Sequence, residues 1–182
     1  MSAHLVIGGA RSGKSNFAQK LAQAQGNDVI IIVTAEILDA EMAARVDKHR
    51  AERPAHWRVI EAPLDLPQAI RSACADDSFA LVDCLTLWLS NILCTQAETL
   101  EQRMDELCEA VKQASGKLVL VSNEVGWSIV PENALARAFR DQQGRLNQRI
   151  AALCEQVTLV AAGLPLVLKN TVLKDESNKE QE

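Results

Sequence analysis

Eleven residues near the start, Leu5 to Ser15 (LVIGGARSGKS), constrain what this chain can fold into more than any other stretch. The apolar run Leu5-Val6-Ile7 feeds into Gly8-Gly9-Ala10-Arg11-Ser12-Gly13-Lys14-Ser15, which has the spacing G-x-x-x-x-G-K-S of a phosphate-binding loop, or P-loop. Glycines let successive backbone N–H groups curl around one anion, and a helix starting near Lys14 aims its positive end at the same point. In such a loop Lys14 reaches the β/γ-phosphates and Ser15 places its hydroxyl on Mg²⁺. The surroundings agree with the motif: a strand-like run precedes it, and Phe17, Ala18, Leu21 and Ala22 make a helical apolar stripe after it.

A P-loop joins a strand to a helix, so the remaining chain should continue that alternation. Short β-branched-rich runs at Leu5 to Ile7, Val29 to Val33, Trp57 to Ile60, Phe79 to Val82, Leu118 to Val121 and Val157 to Val160 read as strands. Helical patterns lie between them at Ile37 to Arg53, Leu64 to Ala75, Cys84 to Leu93, Leu100 to Ala114 and Asn133 to Cys154, the last with Gly144 as a weak point. A final strand at Leu166 to Leu168 closes the sheet edge. The expected fold is α/β: a mostly parallel sheet with helices on both faces. At 182 residues and 48% hydrophobic content the chain suits one sizeable core, a single domain over residues 1–174. From Asp175 the sequence DESNKEQE has no apolar residue and reads as a disordered tail.

Charge and cysteines exclude some classes. A net charge of −5 argues against a nucleic-acid surface, which needs a basic field. Cys74, Cys84, Cys94, Cys108 and Cys154 are an odd set with no C-x-x-C pair, so neither a disulfide framework nor a zinc site is expected, and a reducing cytosol fits best. Met1 to His4 leaves no room for a signal sequence, and the apolar stretches around Phe79 to Leu93 and Val157 to Leu168 are interrupted by Asp83 or by Gly163 to Pro165. A soluble, cytoplasmic protein without a transmembrane segment is the expectation.

Ligands of open parallel sheets bind beyond the carboxyl ends of the strands. The residues there are chemically suggestive: Thr34-Ala35-Glu36 after the second strand, Glu61 after the third, Asp83 after the fourth and Asn123-Glu124 after the fifth. Asp83 is placed as a Walker-B carboxylate that would hold Mg²⁺, although an Asp there equally suits capping the next helix. On the Ile37 to Arg53 helix, Met42, Val46 and His49 share one stripe, so an inward face ends in an imidazole. Arg45, Lys48, Arg50 and Arg53 surround it, against Asp47 and Glu52. A lone helical histidine is by itself more often a packing or surface residue.

Taken together, GGARSGKS at Gly8 to Ser15, EMAARVDKHRAERPAHW at Glu41 to Trp57, VDCLTLWLSN at Val82 to Asn91, VSNEVGWSIVP and FRDQQGRLNQRIA resemble the bifunctional adenosylcobinamide kinase/adenosylcobinamide-phosphate guanylyltransferases. The resemblance spans about Leu5 to Lys169. It implies a RecA-like P-loop NTPase fold, a tendency to form trimers, and two reactions of cobalamin nucleotide-loop assembly. A nucleoside triphosphate, ATP or GTP, phosphorylates the aminopropanol hydroxyl of adenosylcobinamide; GMP is then transferred from GTP to that phosphate, with release of pyrophosphate. In the family this chain resembles, the guanylyl group passes through a covalent histidine intermediate, and the matching position here is His49. The nucleotide-contacting positions match Gly8, Gly9, Ala10, Arg11, Ser12, Gly13, Lys14, Ser15, Thr34, Ala35, Glu36, Arg50, Ala51, Glu52, Arg53, Glu61 and Asp83, with Ser15 and Asp83 as the metal positions. Trp88 and Trp127 are aromatic candidates for stacking on the corrinoid, with burial or a subunit contact as alternatives.

Two other readings use the same P-loop. A single-function small-molecule kinase would leave His49 a mere phosphate contact, and a nucleotide-dependent switch would bind GTP without transferring it. Against the switch, no N-K-x-D guanine motif follows a strand, and Asp141 to Gly144, which fits D-x-x-G, falls inside a helical pattern.

Overall fold

The computed structural model describes residues 2–26, 28–36, 53–74 and 78–171. One sheet contains β1 (Ser2–Gly8), β2 (Val29–Val33), β3 (Arg58–Glu61), β4 (Phe79–Asp83), β5 (Lys117–Asn123), β6 (Gln156–Ala161) and β7 (Leu164–Asn170). Their order across the sheet is β3-β2-β4-β5-β1-β6-β7. All neighbouring pairs are parallel except β6 and β7, which form an antiparallel hairpin at one edge. The helices among the described residues are α1 (Lys14–Gln23), α2 (Leu66–Ala73), α3 (Leu85–Thr95), α4 (Leu100–Gln113) and α5 (Ala134–Leu153).

Because side chains alternate across a strand, each central strand supplies two cores. Leu5, Ile30, Ile32, Ala80, Val82, Leu118, Leu120 and Val157 face one side and pack against Leu66 and Ile70 of α2, Trp88 and Leu89 of α3, Met104 and Leu107 of α4, and Leu146 and Ile150 of α5. Val6, Val29, Ile31, Phe79, Leu81, Val119, Val121 and Val160 face the other side, where Ala18 and Ala22 of α1 and the indole of Trp57 meet them. Among the described residues, helices therefore cover both faces, unevenly, with α1 opposite the other four.

Local chemistry sets the helix ends. Asn133 caps α5, its side chain accepting from the N–H groups of Leu135 and Ala136 at 2.8 and 3.1 Å. The helix then runs unbroken through Gly144 to Leu153. Pro67 sits in the first turn of α2, where a missing N–H leaves no helical bond unmade. The third strand begins at Arg58 rather than Trp57, whose indole belongs to the core instead. Of the expected helix from Ile37 to Arg53, only Arg53 lies among the described residues, and the expected tail from Asp175 lies outside them.

Register decides where the functional residues meet. Gly8 pairs with Asn123, Asp83 lies opposite both Val121 and Val33, and Glu61 lies opposite Val33. The carboxyl ends of β3, β2, β4, β5 and β1 thus form one rim.

Candidate nucleotide site

The P-loop leaves β1 at Gly8 and enters α1 at Lys14. Arg11 has φ 54° and Gly13 has φ 95°, so left-handed residues alternate with ordinary ones, the backbone pattern that turns N–H groups toward one concavity. Phe17 N–H donates to Gly13 O at 3.0 Å, which starts the helix directly behind that concavity. Two glycines here are sterically required. A methyl group on Gly8 would overlap the Val160 carbonyl oxygen and Ser12 Oγ, and one on Gly13 would lie 3.1 Å from Gly163 Cα.

That last contact is part of a brace. The β6–β7 turn, Ala162-Gly163, lies against the loop, and Gly163 N–H donates to Ser12 O at 2.8 Å. Lys14 is buried, and its Nζ donates to Gly9 O at 3.0 Å, so its ammonium is folded over the loop. Ser12 Oγ is buried without a hydrogen-bond partner, a polar atom that a phosphate oxygen would satisfy. The cradle fits a phosphate.

Asp83 ends β4, two strands from β1, or about 10 Å at the usual strand spacing. Its Oδ2 accepts from Arg53 Nη2 at 2.8 Å, while Arg53 Nε is buried without a partner. Both side chains are largely covered, 10% and 21% exposed, so this ion pair is poorly screened. For Mg²⁺ the donor set is appropriate: a hard carboxylate from Asp83 and a hydroxyl from Ser15, leaving other positions to water and phosphate. No group of three or more His, Cys, Asp or Glu converges on a metal site among the described residues.

Between Asp83 and the outer strands lies a set of polar bonds that sequence reasoning did not anticipate. Thr34 is fully buried; its hydroxyl donates to Cys84 O at 2.7 Å and accepts from Cys84 N–H at 2.9 Å. Thr34 N–H donates to Asp83 O at 3.1 Å. Asn91, on α3, donates from Nδ2 to Thr34 O and Pro63 O at 2.9 and 3.0 Å. The Thr34 side chain therefore holds β2 to β4 and positions Asp83, while Ala35 and Glu36 remain half-exposed on the rim. A polar Asn91 within the apolar LTLWLSNIL run was the available signal. Glu61 stands on β3, four strands from β1, which places it about 19 Å across the sheet. At that distance it can serve only the end of a nucleotide remote from the P-loop.

On the other flank, Ser122 Oγ donates to Asn147 Oδ1 at 2.6 Å and accepts from Gln143 Nε2 at 2.9 Å. Asn147 Nδ2 donates to Asn123 O at 3.0 Å, and Asn123 N–H donates to Thr86 Oγ1 at 2.8 Å. Glu124 N–H then reaches Gly8 O at 3.0 Å. This network fixes the end of β5 beside the P-loop. Its signal was Gln143 and Asn147 at i, i+4 on one helical face.

The remaining expectations divide by burial. Trp88 is 0% exposed, with its indole N–H on Leu64 O at 2.9 Å, so it cannot stack on a ligand; Trp127 is 79% exposed. His4 lies within β1, buried, its Nε2 2.8 Å from Thr158 Oγ1, and burial lowers its pKa. The Cys74 and Cys154 thiols are pushed up to about 12 by burial, which makes them inert core groups. His49, Arg50, Ala51 and Glu52 lie outside the described residues.

A braced P-loop, a strand-end carboxylate two strands away and a mostly parallel sheet define a RecA-like P-loop NTPase. The solved structure of the RadB recombinase shares this fold, with a TM-score of 0.51 and 11% identity over 87% of this chain and 73% of that one. Residues 4–168 match the model of the cobinamide kinase / cobinamide phosphate guanyltransferase family, and the chain belongs to that family. It is 46% identical over 170 residues to a bifunctional adenosylcobalamin biosynthesis protein, CobP, of Pseudomonas aeruginosa, covering 93% of this chain and 98% of that protein. It is 41% identical over 179 residues to the Salmonella typhimurium protein named CobU, covering 91% and 98%. No helix among the described residues is long and apolar enough to cross a membrane.

Proposed function

We propose that this protein is a cytoplasmic enzyme that carries out both family reactions in one domain spanning residues 1–174. It phosphorylates the aminopropanol hydroxyl of adenosylcobinamide with ATP or GTP, then transfers GMP from GTP to that phosphate. The products are adenosylcobinamide-GDP and pyrophosphate. The observation that carries the reading is the family match over residues 4–168, on a chain whose P-loop is formed and braced.

In the kinase step the loop from Gly8 to Ser15 cradles the β/γ-phosphates, and Lys14 Nζ turns from Gly9 O to the charge that develops on the transferred phosphoryl group. Ser15 and Asp83 would hold Mg²⁺, which when bound would supply neutralisation of charge on the phosphate oxygens. Thr34, Ala35 and Glu36 border the nucleotide, Arg50, Ala51, Glu52 and Arg53 flank it from the histidine-bearing stretch, and Glu61 meets its far end.

In the guanylyl step a neutral His49 nitrogen attacks the α-phosphorus. A P–N bond forms as the bond to the β-phosphate oxygen breaks, and pyrophosphate leaves with that electron pair. An oxygen of adenosylcobinamide phosphate then attacks the same phosphorus, and the P–N electrons return to the imidazole. Arg45, Lys48, Arg50 and Arg53, all within four positions of His49 in the sequence, would favour the neutral imidazole by opposing a further positive charge. An uncovered apolar edge strand, β7, with Leu164, Leu166, Val167 and Leu168 exposed, supports assembly into the trimer that the resemblance implies.

Incubation with α-labelled GTP and Mg²⁺, without corrinoid, should leave an acid-labile, base-stable label on the protein. His49→Asn should abolish both the label and GMP transfer while sparing much of the kinase step. Label that persists in His49→Asn would remove the covalent histidine. Pyrophosphate counted with and without the corrinoid separates transfer from a kinase or switch.

A further inference from the structure

The segment that follows β5 leaves the sheet beside the P-loop, because Asn123 pairs with Gly8 and Glu124 N–H bonds to Gly8 O at 3.0 Å. It is an organised turn. Glu124 Oε1 accepts from Gly126 N–H at 2.7 Å, Ser128 Oγ donates to Val125 O at 3.3 Å, and Arg137 Nη1 donates to Pro131 O at 3.0 Å. Within this held backbone Trp127, Ile129, Val130 and Leu135 are 79, 94, 58 and 61% exposed. The other two tryptophans, Trp57 and Trp88, are buried.

Four large apolar side chains shown to solvent within nine residues, beside the P-loop, are a concentration that points to a docking face rather than to scattered surface residues. We propose that this segment is the platform for the corrin macrocycle of the acceptor, with Trp127 stacking on its face. The proposal rests on the functional reading above, which supplies an acceptor much larger than a nucleotide. A corrin offers a broad, methyl-studded face, amide arms and the net positive charge of its cobalt(III) centre. Charge is complementary: from Asn123 to Asn133 the only ionisable side chains are Glu124 and Glu132, with no lysine or arginine. The one guanidinium seen to reach the segment, that of Arg137 on α5, is engaged by the carbonyl oxygens of Pro131 and Glu132. Placement is also consistent, since a macrocycle on Trp127 lies next to Glu124 and hence beside the loop that holds the phosphate to be transferred. The second apolar patch, on β7, lies beyond β1 and β6 from β5 and is a sheet edge suited to another strand.

The test compares wild type, Trp127→Ala and Trp127→Phe. Binding of adenosylcobinamide is followed by equilibrium dialysis, and steady-state constants are measured for both substrates. Trp127→Ala should weaken adenosylcobinamide binding and raise its KM at least about tenfold, the loss expected for one aromatic stacking partner. Trp127→Phe should stay within about threefold. The KM for GTP and the corrinoid-independent label from α-labelled GTP should be unchanged in both. Unchanged corrinoid binding in Trp127→Ala would overturn the platform while leaving the two reactions intact. A Trp127→Ala protein of altered sedimentation mass would overturn it in favour of a contact between copies. Wild-type protein that neither binds adenosylcobinamide nor phosphorylates it would remove the functional reading and the platform together.

Discussion

Arg53 Nη2 donates to Asp83 Oδ2 at 2.8 Å, which ties the last residue of the histidine-bearing stretch to the carboxylate that ends β4. The two residues are thirty apart in sequence, and neither is fully solvated. Asp83 is thus already paired with a guanidinium at the position where the proposed function would have it take a hard cation.

Asp83→Asn should raise the half-saturating Mg²⁺ concentration of both reactions by about tenfold or more, the loss of one charged ligand. A double-mutant cycle of Arg53→Gln and Asp83→Asn, read by urea unfolding, should give a coupling of about 1–3 kcal/mol, as for other contacting charges. An unchanged Mg²⁺ titration would restrict Asp83 to the ion pair.

Lys14→Ala removes the buried ammonium from the loop and should slow both reactions by about a hundredfold or more, because developing charge on phosphorus loses its nearest counter-charge. Rapid-quench measurement of each step checks this, and near-normal turnover in either step would refute the shared use of one loop.

Gly163 holds Ser12 O from a backbone of φ 78°, and no atom lies within 4 Å of where its Cβ would be. Gly163→Ala should therefore suffer backbone strain alone, about 1–2 kcal/mol, or roughly 2–8 °C in Tm for a chain of this size. Gly163→Asn, which tolerates that backbone, should lose less than half as much. Calorimetry in the presence and absence of GTP would show whether the loss falls on the loop: the alanine variant should also bind GTP more weakly.

His4 is buried against Thr158, and desolvation lowers its pKa below the ordinary value of 6.5. Between that lowered value and 6.5 the unfolded chain binds the extra proton, so the stability contributed by neutral His4 is present above pH 6.5 and declines as the pH falls through that window. Urea midpoints measured from pH 5 to 8 should fall more steeply toward acid in wild type than in His4→Gln. Equal slopes would show that His4 does not titrate on unfolding.

The sequence by itself determined the parts of this protein that are contiguous. A P-loop is eight adjacent residues whose glycines, lysine and serine act through local backbone geometry, so Gly8 to Ser15 could be read before any fold was known. The alternation of β-branched runs with helical stripes likewise announced a parallel sheet, since burial on both faces leaves its mark within each strand. Family-specific stretches around His49 and Glu124 extended that reading to the family. Helix ends were less legible because a cap such as Asn133 counts as helix in a pattern and as a boundary in space.

Only the tertiary structure decided which distant residues meet. Strand order follows from how all the layers pack, and it alone brings Arg53 to Asp83, Gly163 to Ser12 and Thr34 to Cys84, pairs separated by 30, 151 and 50 positions. It also separated two tryptophans that composition cannot tell apart. Trp88 falls on the face of α3 that meets the sheet and gives its N–H to Leu64 O, whereas Trp127 lies on a turn held away from the core. Burial is a property of the packed layers, and no local pattern of residues contains it.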